Sequence, residues 1–170
     1  MVANVFKESQ KFNQPLLWVI ILTTYIPLHI FSIRDLFIEY SKGGNWWSSE
    51  IFIAALIGLV LLNLLLVLFL FLTLETQIDN AGIQFRYPPV LNSWRKIPWK
   101  EVQAIDVSTY SPWEYGGWGI RLSWRGWAYN VRGNKGIMIK KKNGKRILIG
   151  TQKAIEAKQA IENQMREERD

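Results

Sequence analysis

The chain of 170 residues contains no cysteine and a single histidine. The first absence excludes a disulfide scaffold, a zinc–thiolate centre and a cysteine nucleophile. The second leaves no basis for a histidine metal cage or a Ser-His-Asp triad. Charge is scarce too, but in one half alone. Residues 1–74 carry Lys7, Lys11, Arg34 and Lys42 against Glu8, Asp35, Glu39 and Glu50, and so sum to zero. Residues 75–170 hold the other 17 Lys/Arg against 10 Asp/Glu, which is the whole net charge of +7. A disordered composition is also missing, because 49% of the chain is apolar and 14% aromatic. The mean hydropathy of zero therefore averages a membrane-like half and a basic, water-facing half.

The longest uncharged run is 51–74, IFIAALIGLVLLNLLLVLFLFLTL, with Asn63 its one strongly polar side chain. Its 24 residues would extend about 36 Å as a helix, enough to cross a hydrocarbon core of roughly 30 Å. A soluble helix of that length would carry a polar stripe, and this one has none. Residues 16–33, LLWVIILTTYIPLHIFSI, form a second run. As a helix it would be about 27 Å long, near the lower limit for a span. A cleaved signal peptide would need a small-x-small site after it, which is missing, so a retained helix is expected. Pro27 removes one backbone hydrogen bond and is expected to kink that helix.

Polar groups in hydrocarbon seek one another. Asn63 sits near the middle of the second span, and Thr24 and Tyr25 near the middle of the first. An antiparallel hairpin brings them to one depth, so these residues, with His29, are expected to serve as intramembrane packing contacts. The connection 34–50 carries Tyr40, Trp46 and Trp47, suited to an interfacial belt, and a Gly43-Gly44-Asn45 turn. Two spans put both termini on one side. The basic tail assigns that side to the cytoplasm and the protein to a cell (inner) membrane.

Beyond Glu75 the pattern changes to short alternating runs. Residues 75–79 and 83–87 flank Asn80-Ala81-Gly82, a hairpin signal. Val102–Val107, Trp118–Trp124, Trp127–Val131 and Ile137–Ile139 read as strands, and Ile147–Ile149 follows the Asn143-Gly144 turn. Six or seven strands in this length predict a small antiparallel barrel or sandwich. Thr151 is placed to cap a closing helix with an apolar stripe at Ala154, Ala157, Ile161 and Met165, before a solvated REERD end. The expected organisation is an N-terminal cytoplasmic segment 1–14, a two-helix transmembrane hairpin 15–74 and a mainly β, or α+β, domain 75–170.

Four segments carry a resemblance: IPWKEVQAIDV at 97–107, YGGWGIR at 115–121, AYNVRGNKGIMI at 128–139 and NGKRILIGTQKAIEAKQAI at 143–161. In order and motif, residues 75–165 resemble a bacterial pleckstrin-homology domain. With the hairpin in front, the layout is similar to uncharacterised small membrane proteins of that kind. The resemblance implies a PH-like, partly open barrel of seven strands closed by a C-terminal helix, without enzymatic activity. It supplies no ligand-binding residues. Where the phosphoinositide-binding pattern of eukaryotic relatives has basic residues, this chain has Asn80-Ala81-Gly82.

Two features are candidate contact sites for lipid or a partner. One is the turn with Lys140, Lys141, Lys142, Lys145 and Arg146, five cations in seven residues. Near an anionic surface each is worth about 1 kcal/mol, although the same turn also reads as a solvated hairpin tip. The other is the aromatic segment 110–129, with seven aromatics. In it Trp118 and Trp124 share a strand face and are expected in the core, while Trp113 and Tyr115 precede Gly116-Gly117 in a loop and are expected to contact partner or lipid. Gly116-Gly117-Trp118-Gly119 lacks the following Lys-Ser/Thr of a phosphate loop. No two carboxylates are spaced for acid–base work, and no base stands beside a nucleophile. The sequence thus predicts a non-catalytic interaction module with no cofactor and no metal. Its expected partners are the bilayer, anionic headgroups and an unidentified membrane protein, not nucleic acid. Lipid sensing and a transporter accessory subunit, or a channel of oligomerised hairpins, are the alternatives.

Overall fold

A computed structural model describes residues 6–167, so residues 1–5 of the expected N-terminal segment and the last three of the REERD end lie outside the described residues. The chain forms two compact units, residues 13–71 and the remainder.

The helical unit consists of α1 (Pro15–Ser41) and α2 (Glu50–Phe71), joined through a 3₁₀ turn at Trp46–Ser48. Both helices are long and apolar enough to cross a membrane, and protein buries none of their most apolar windows. Pro15 opens α1, where its missing N–H costs nothing. Ser49 Oγ accepts from the Phe52 N–H at the start of α2. The bounds differ from those read off hydropathy. α1 runs through Pro27 and past Ile33 to Ser41 without interruption. α2 stops at Phe71, because Thr73 and Leu74 already belong to a strand. Hydropathy does not separate the end of an apolar helix from the start of a buried strand. In the connection, Trp46 packs edge-on to Tyr40, Trp47 and Phe52 at 5.3, 5.6 and 4.9 Å.

The β unit contains two sheets. The first has the order β1 (Phe6–Lys11), β2 (Thr73–Asp79), β3 (Gly82–Tyr87), β4 (Leu91–Ile97), all antiparallel. The second contains β5 (Val102–Thr109), β6 (Gly119–Ser123), β7 (Gly126–Asn130), β8 (Lys135–Lys141) and β9 (Arg146–Gly150) in the order β5-β8-β9-β7-β6. Two features depart from the sequence expectation. β7 and β9 pair in parallel, so the second sheet is mixed. And residues 6–11, expected to be part of a separate N-terminal segment, form β1 in register with β2 from Phe6↔Ile78 to Lys11↔Thr73. The helical hairpin is therefore spliced into the connection between two adjacent strands of the β unit.

The core of this unit draws Leu74, Ile78, Ile83 and Phe85 from the first sheet and Ile137, Ile139 and Ile149 from the second. Phe85 meets Tyr129 at 4.6 Å, and the Tyr87 hydroxyl donates to the Asn130 carbonyl at 2.8 Å. The closing helix α3 (Ala154–Glu167) packs on β1, β2, β5 and β8. Its buried stripe is Ala157, Ala160, Ile161 and Gln164, and Met165 is 37% exposed rather than part of it. Thr151 does not cap this helix as expected: the Ala157 N–H bonds the Lys153 carbonyl, which makes Lys153 the N-cap, and Thr151 Oγ1 accepts from the Lys153 N–H in a turn that precedes it.

Candidate functional site

In the helical unit the structure brings together three of the four polar residues singled out above, Tyr25, Asn63 and His29. The Tyr25 hydroxyl donates to Asn63 Oδ1 at 3.1 Å. Asn63 Nδ2 donates back to its own helix, to the Leu59 carbonyl at 2.8 Å. Thr24 turns onto its own helix instead, towards the Ile20 and Ile21 carbonyls. His29 stacks on Tyr25 with ring centroids 5.1 Å apart, and its Nδ1 is buried without a partner. Gly58 faces Ser32, where a Cβ would come to 4.0 Å of the hydroxyl. These are small-residue and polar packing contacts of a helix pair.

In the β unit, strand alternation builds a more elaborate surface. Asp106, Met138 and Leu148 are register partners across β5, β8 and β9, and two residues along each strand stand Ala104, Lys140 and Arg146. The period of two puts both rows on one face. The first row is largely apolar, and the second places Lys140 directly opposite Arg146. This face forms the wall and floor of an open groove of about 500 Å³, completed by Tyr115, Trp124 and Arg125. Gly126 opens β7 with φ +111°, and a Cβ there would lie 2.3 Å from the Arg146 carbonyl oxygen. Glycine at 126 thus lets β7 approach the strand that carries Arg146.

Arg125 spans the groove edge. Its guanidinium pairs with Glu114 at 2.8 Å and lies 4.6 Å over the Trp124 ring, while Nε is buried without a hydrogen-bond partner. The Glu114–Arg125 pair joins the 3₁₀ turn Pro112–Tyr115 to the β6–β7 turn. Each turn displays an open indole: Trp113 is 78% exposed and Trp124 is 81% exposed.

The loop aromatics separate here. Tyr115 was expected at a contact surface, but it is buried with Tyr110, Ala128 and Leu148 and meets the Tyr110 ring at 5.9 Å. Burial pushes its hydroxyl pKa up, with Arg125 opposing. Trp118 is half-buried, its indole N–H donating to the Gly133 carbonyl at 3.0 Å. Trp124, expected in the core with it, is exposed because it lies in the turn after β6.

The basic turn also divides. Lys141 Nζ pairs with Glu101 at 2.7 Å, and that hydrogen bond holds the Glu101 carboxyl below the usual range. Lys142 and Lys145 are exposed at the tip. Only Lys140 and Arg146 line the groove. Asp106, Met138, Trp124 and Arg125 were missed as site residues. The signal for Asp106 and Met138 was the same alternation that identified the strands, read for what it puts on the outer face; Trp124 and Arg125 lie in the β6–β7 turn, where alternation carries no such signal. Among the described residues, no three or more His/Asp/Glu side chains are grouped to hold a metal ion. No family model, no curated protein and no solved structure matches the chain.

Proposed function

We propose that the chain is a non-catalytic, membrane-anchored interaction module of a cell (inner) membrane. The two apolar helices span the bilayer and the β unit works on the cytoplasmic side. In this reading the two sheets and α3 make up the partly open, helix-closed barrel of a PH-like domain. The splice between β1 and β2 ties the domain to its anchor at two points in the chain. Confinement of this kind raises its effective concentration towards other membrane proteins.

The observation that carries the reading is the pair of open indoles, Trp113 and Trp124, on two turns locked together by Glu114 and Arg125. Large aromatics held on a rigid base and left open are the usual anchors of protein contacts. The test is site-specific photocrosslinking in native membranes. A photoreactive residue at 113 or 124 should join the same protein, whereas one at exposed Ser93, on the first sheet, should not. Identical adducts from all three positions, or none from 113 and 124, would refute the proposal.

Anionic-lipid sensing is the second reading, favoured by Lys142 and Lys145 at the free tip of the β8–β9 turn. The full-length chain reconstituted in vesicles should then recruit added acidic vesicles but not neutral ones, and release them as salt rises. A role as transporter accessory subunit would draw on the Tyr25–Asn63–His29 cluster, and flux indifferent to Asn63→Leu and His29→Phe would exclude a pathway there.

A further inference from the structure

The groove on the second sheet has a feature that interaction through exposed indoles does not use. Lys140 and Arg146 are register partners on antiparallel strands. Cations directly opposed in this way stand with Cβ atoms about 5 Å apart and repel each other. Neither has an ion pair or a side-chain hydrogen bond among the described residues. Asp106 lines the same groove one row away and pairs with neither. With Arg125 set against Glu114, the groove keeps one uncompensated positive charge. The repulsion would be relieved by an anion seated between the two side chains.

Beside this cationic row lies the apolar one. Met138 and Leu148 are themselves register partners, and Tyr115 packs against Leu148 from the 3₁₀ turn. The Trp124 ring, with the Arg125 guanidinium over it, forms a rim. The volume of about 500 Å³ falls within the size of small-ligand sites. We infer that this groove binds an anionic amphiphile: a phosphate or carboxylate head between Lys140 and Arg146, with an apolar chain laid over Met138 and Ala104 against the Trp124 rim.

The test uses the full-length chain in nanodiscs of zwitterionic lipid, titrated calorimetrically with hexyl phosphate, inorganic phosphate and 1-hexanol against empty nanodiscs. Hexyl phosphate should bind, and the other two at least about tenfold more weakly, since each lacks one half of the match. The K140Q/R146Q variant should lose about tenfold or more in affinity for hexyl phosphate. The K142Q/K145Q variant removes the same charge from the same turn but outside the groove, and should bind as the parent does. All four residues have open side chains, so both variants should melt with the parent. Phosphatidic acid added to the nanodisc should compete if the ligand enters from the bilayer, and leave binding unchanged if it comes from solution; the site stands in either case. Equal weakening by both double variants would reduce the effect to diffuse surface charge and overturn the proposal. So would absence of binding, or inorganic phosphate or hexanol binding as tightly as hexyl phosphate. No partner protein is needed, so the outcome is independent of the crosslinking result.

Discussion

The Thr151 hydroxyl donates to Glu8 Oε2 at 2.6 Å, tying the first described strand to the approach of the last helix. The other carboxylate oxygen accepts from the Gln152 N–H at 2.7 Å. Two residues on, Gln10 Nε2 donates to the Gly150 carbonyl at 2.7 Å. Glu8 and Gln10 are both buried, so β1 carries polar side chains on its inward face and uses them to hold the end of β9. Glu8→Ala should leave the Thr151 hydroxyl and the Gln152 N–H unpaired and cost about 2–3 kcal/mol. The check is a lowered thermal midpoint of the detergent-solubilised chain. Lys7→Ala, on the outward face of the same strand, should shift it little.

That strand also marks the limit of what the sequence discloses. The hairpins around Asn80-Ala81-Gly82 and Asn143-Gly144 were legible because turn chemistry is local: Gly82 and Gly144 both take positive φ. The apolar helices were legible because length and hydropathy suffice. FKESQK was not, because Glu8 and Gln10 read as solvated, and what makes them inward-facing is a set of acceptors and donors at Gly150–Gln152. Alternation likewise located β6 but not its environment, since Leu122 on this edge strand is 66% exposed. Tyr115 misled in the opposite sense, its place beside two glycines suggesting an open loop, where Tyr110 and Leu148 close over it.

A second prediction concerns a buried polar cluster within the second sheet. Asn130 is fully buried; its Nδ2 donates to the Tyr110 hydroxyl oxygen at 3.0 Å and its Oδ1 accepts from the Gly119 N–H at 2.8 Å. Burial pushes the Tyr110 hydroxyl up to about 12, and it raises Tyr87 as well. Unfolded tyrosine ionises near about 10. A raised folded pKa means the neutral form is preferred in the fold. The stabilisation is therefore complete below about pH 10 and lost as pH rises through about 12. Alkaline unfolding curves should steepen over that window, and Tyr110→Phe should flatten them. Asn130→Leu should cost about 2–3 kcal/mol at neutral pH, because the Gly119 N–H loses its acceptor.

Within the helical unit, the Tyr25–Asn63 bond should contribute modestly. Polar pairs between membrane helices average about 0.6 kcal/mol, since the separated helices also find partners. A double-mutant cycle of Tyr25→Phe and Asn63→Leu, read as the midpoint of unfolding in mixed micelles, should give a coupling of that size. A coupling near zero would mean that the two side chains pack without bonding.

Two glycines separate backbone conformation from steric space. Gly144 has φ +81° and nothing within 4 Å of a built Cβ, so Gly144→Ala meets only the left-handed penalty of about 1 kcal/mol. Gly126 has φ +111°, and its Cβ would lie 2.3 Å from the Arg146 carbonyl oxygen and 2.9 Å from the carbon it is bonded to. Backbone cannot swing aside as a side chain can, so Gly126→Ala must part β7 from β9. It should cost at least about 3 kcal/mol by thermal unfolding. Because Arg146 forms one side of the cationic pair, the displacement should also disturb the groove. In the variant that still folds at low temperature, hexyl phosphate affinity should fall, whereas Gly144→Ala, nearer the basic tip but free of contacts, should keep it.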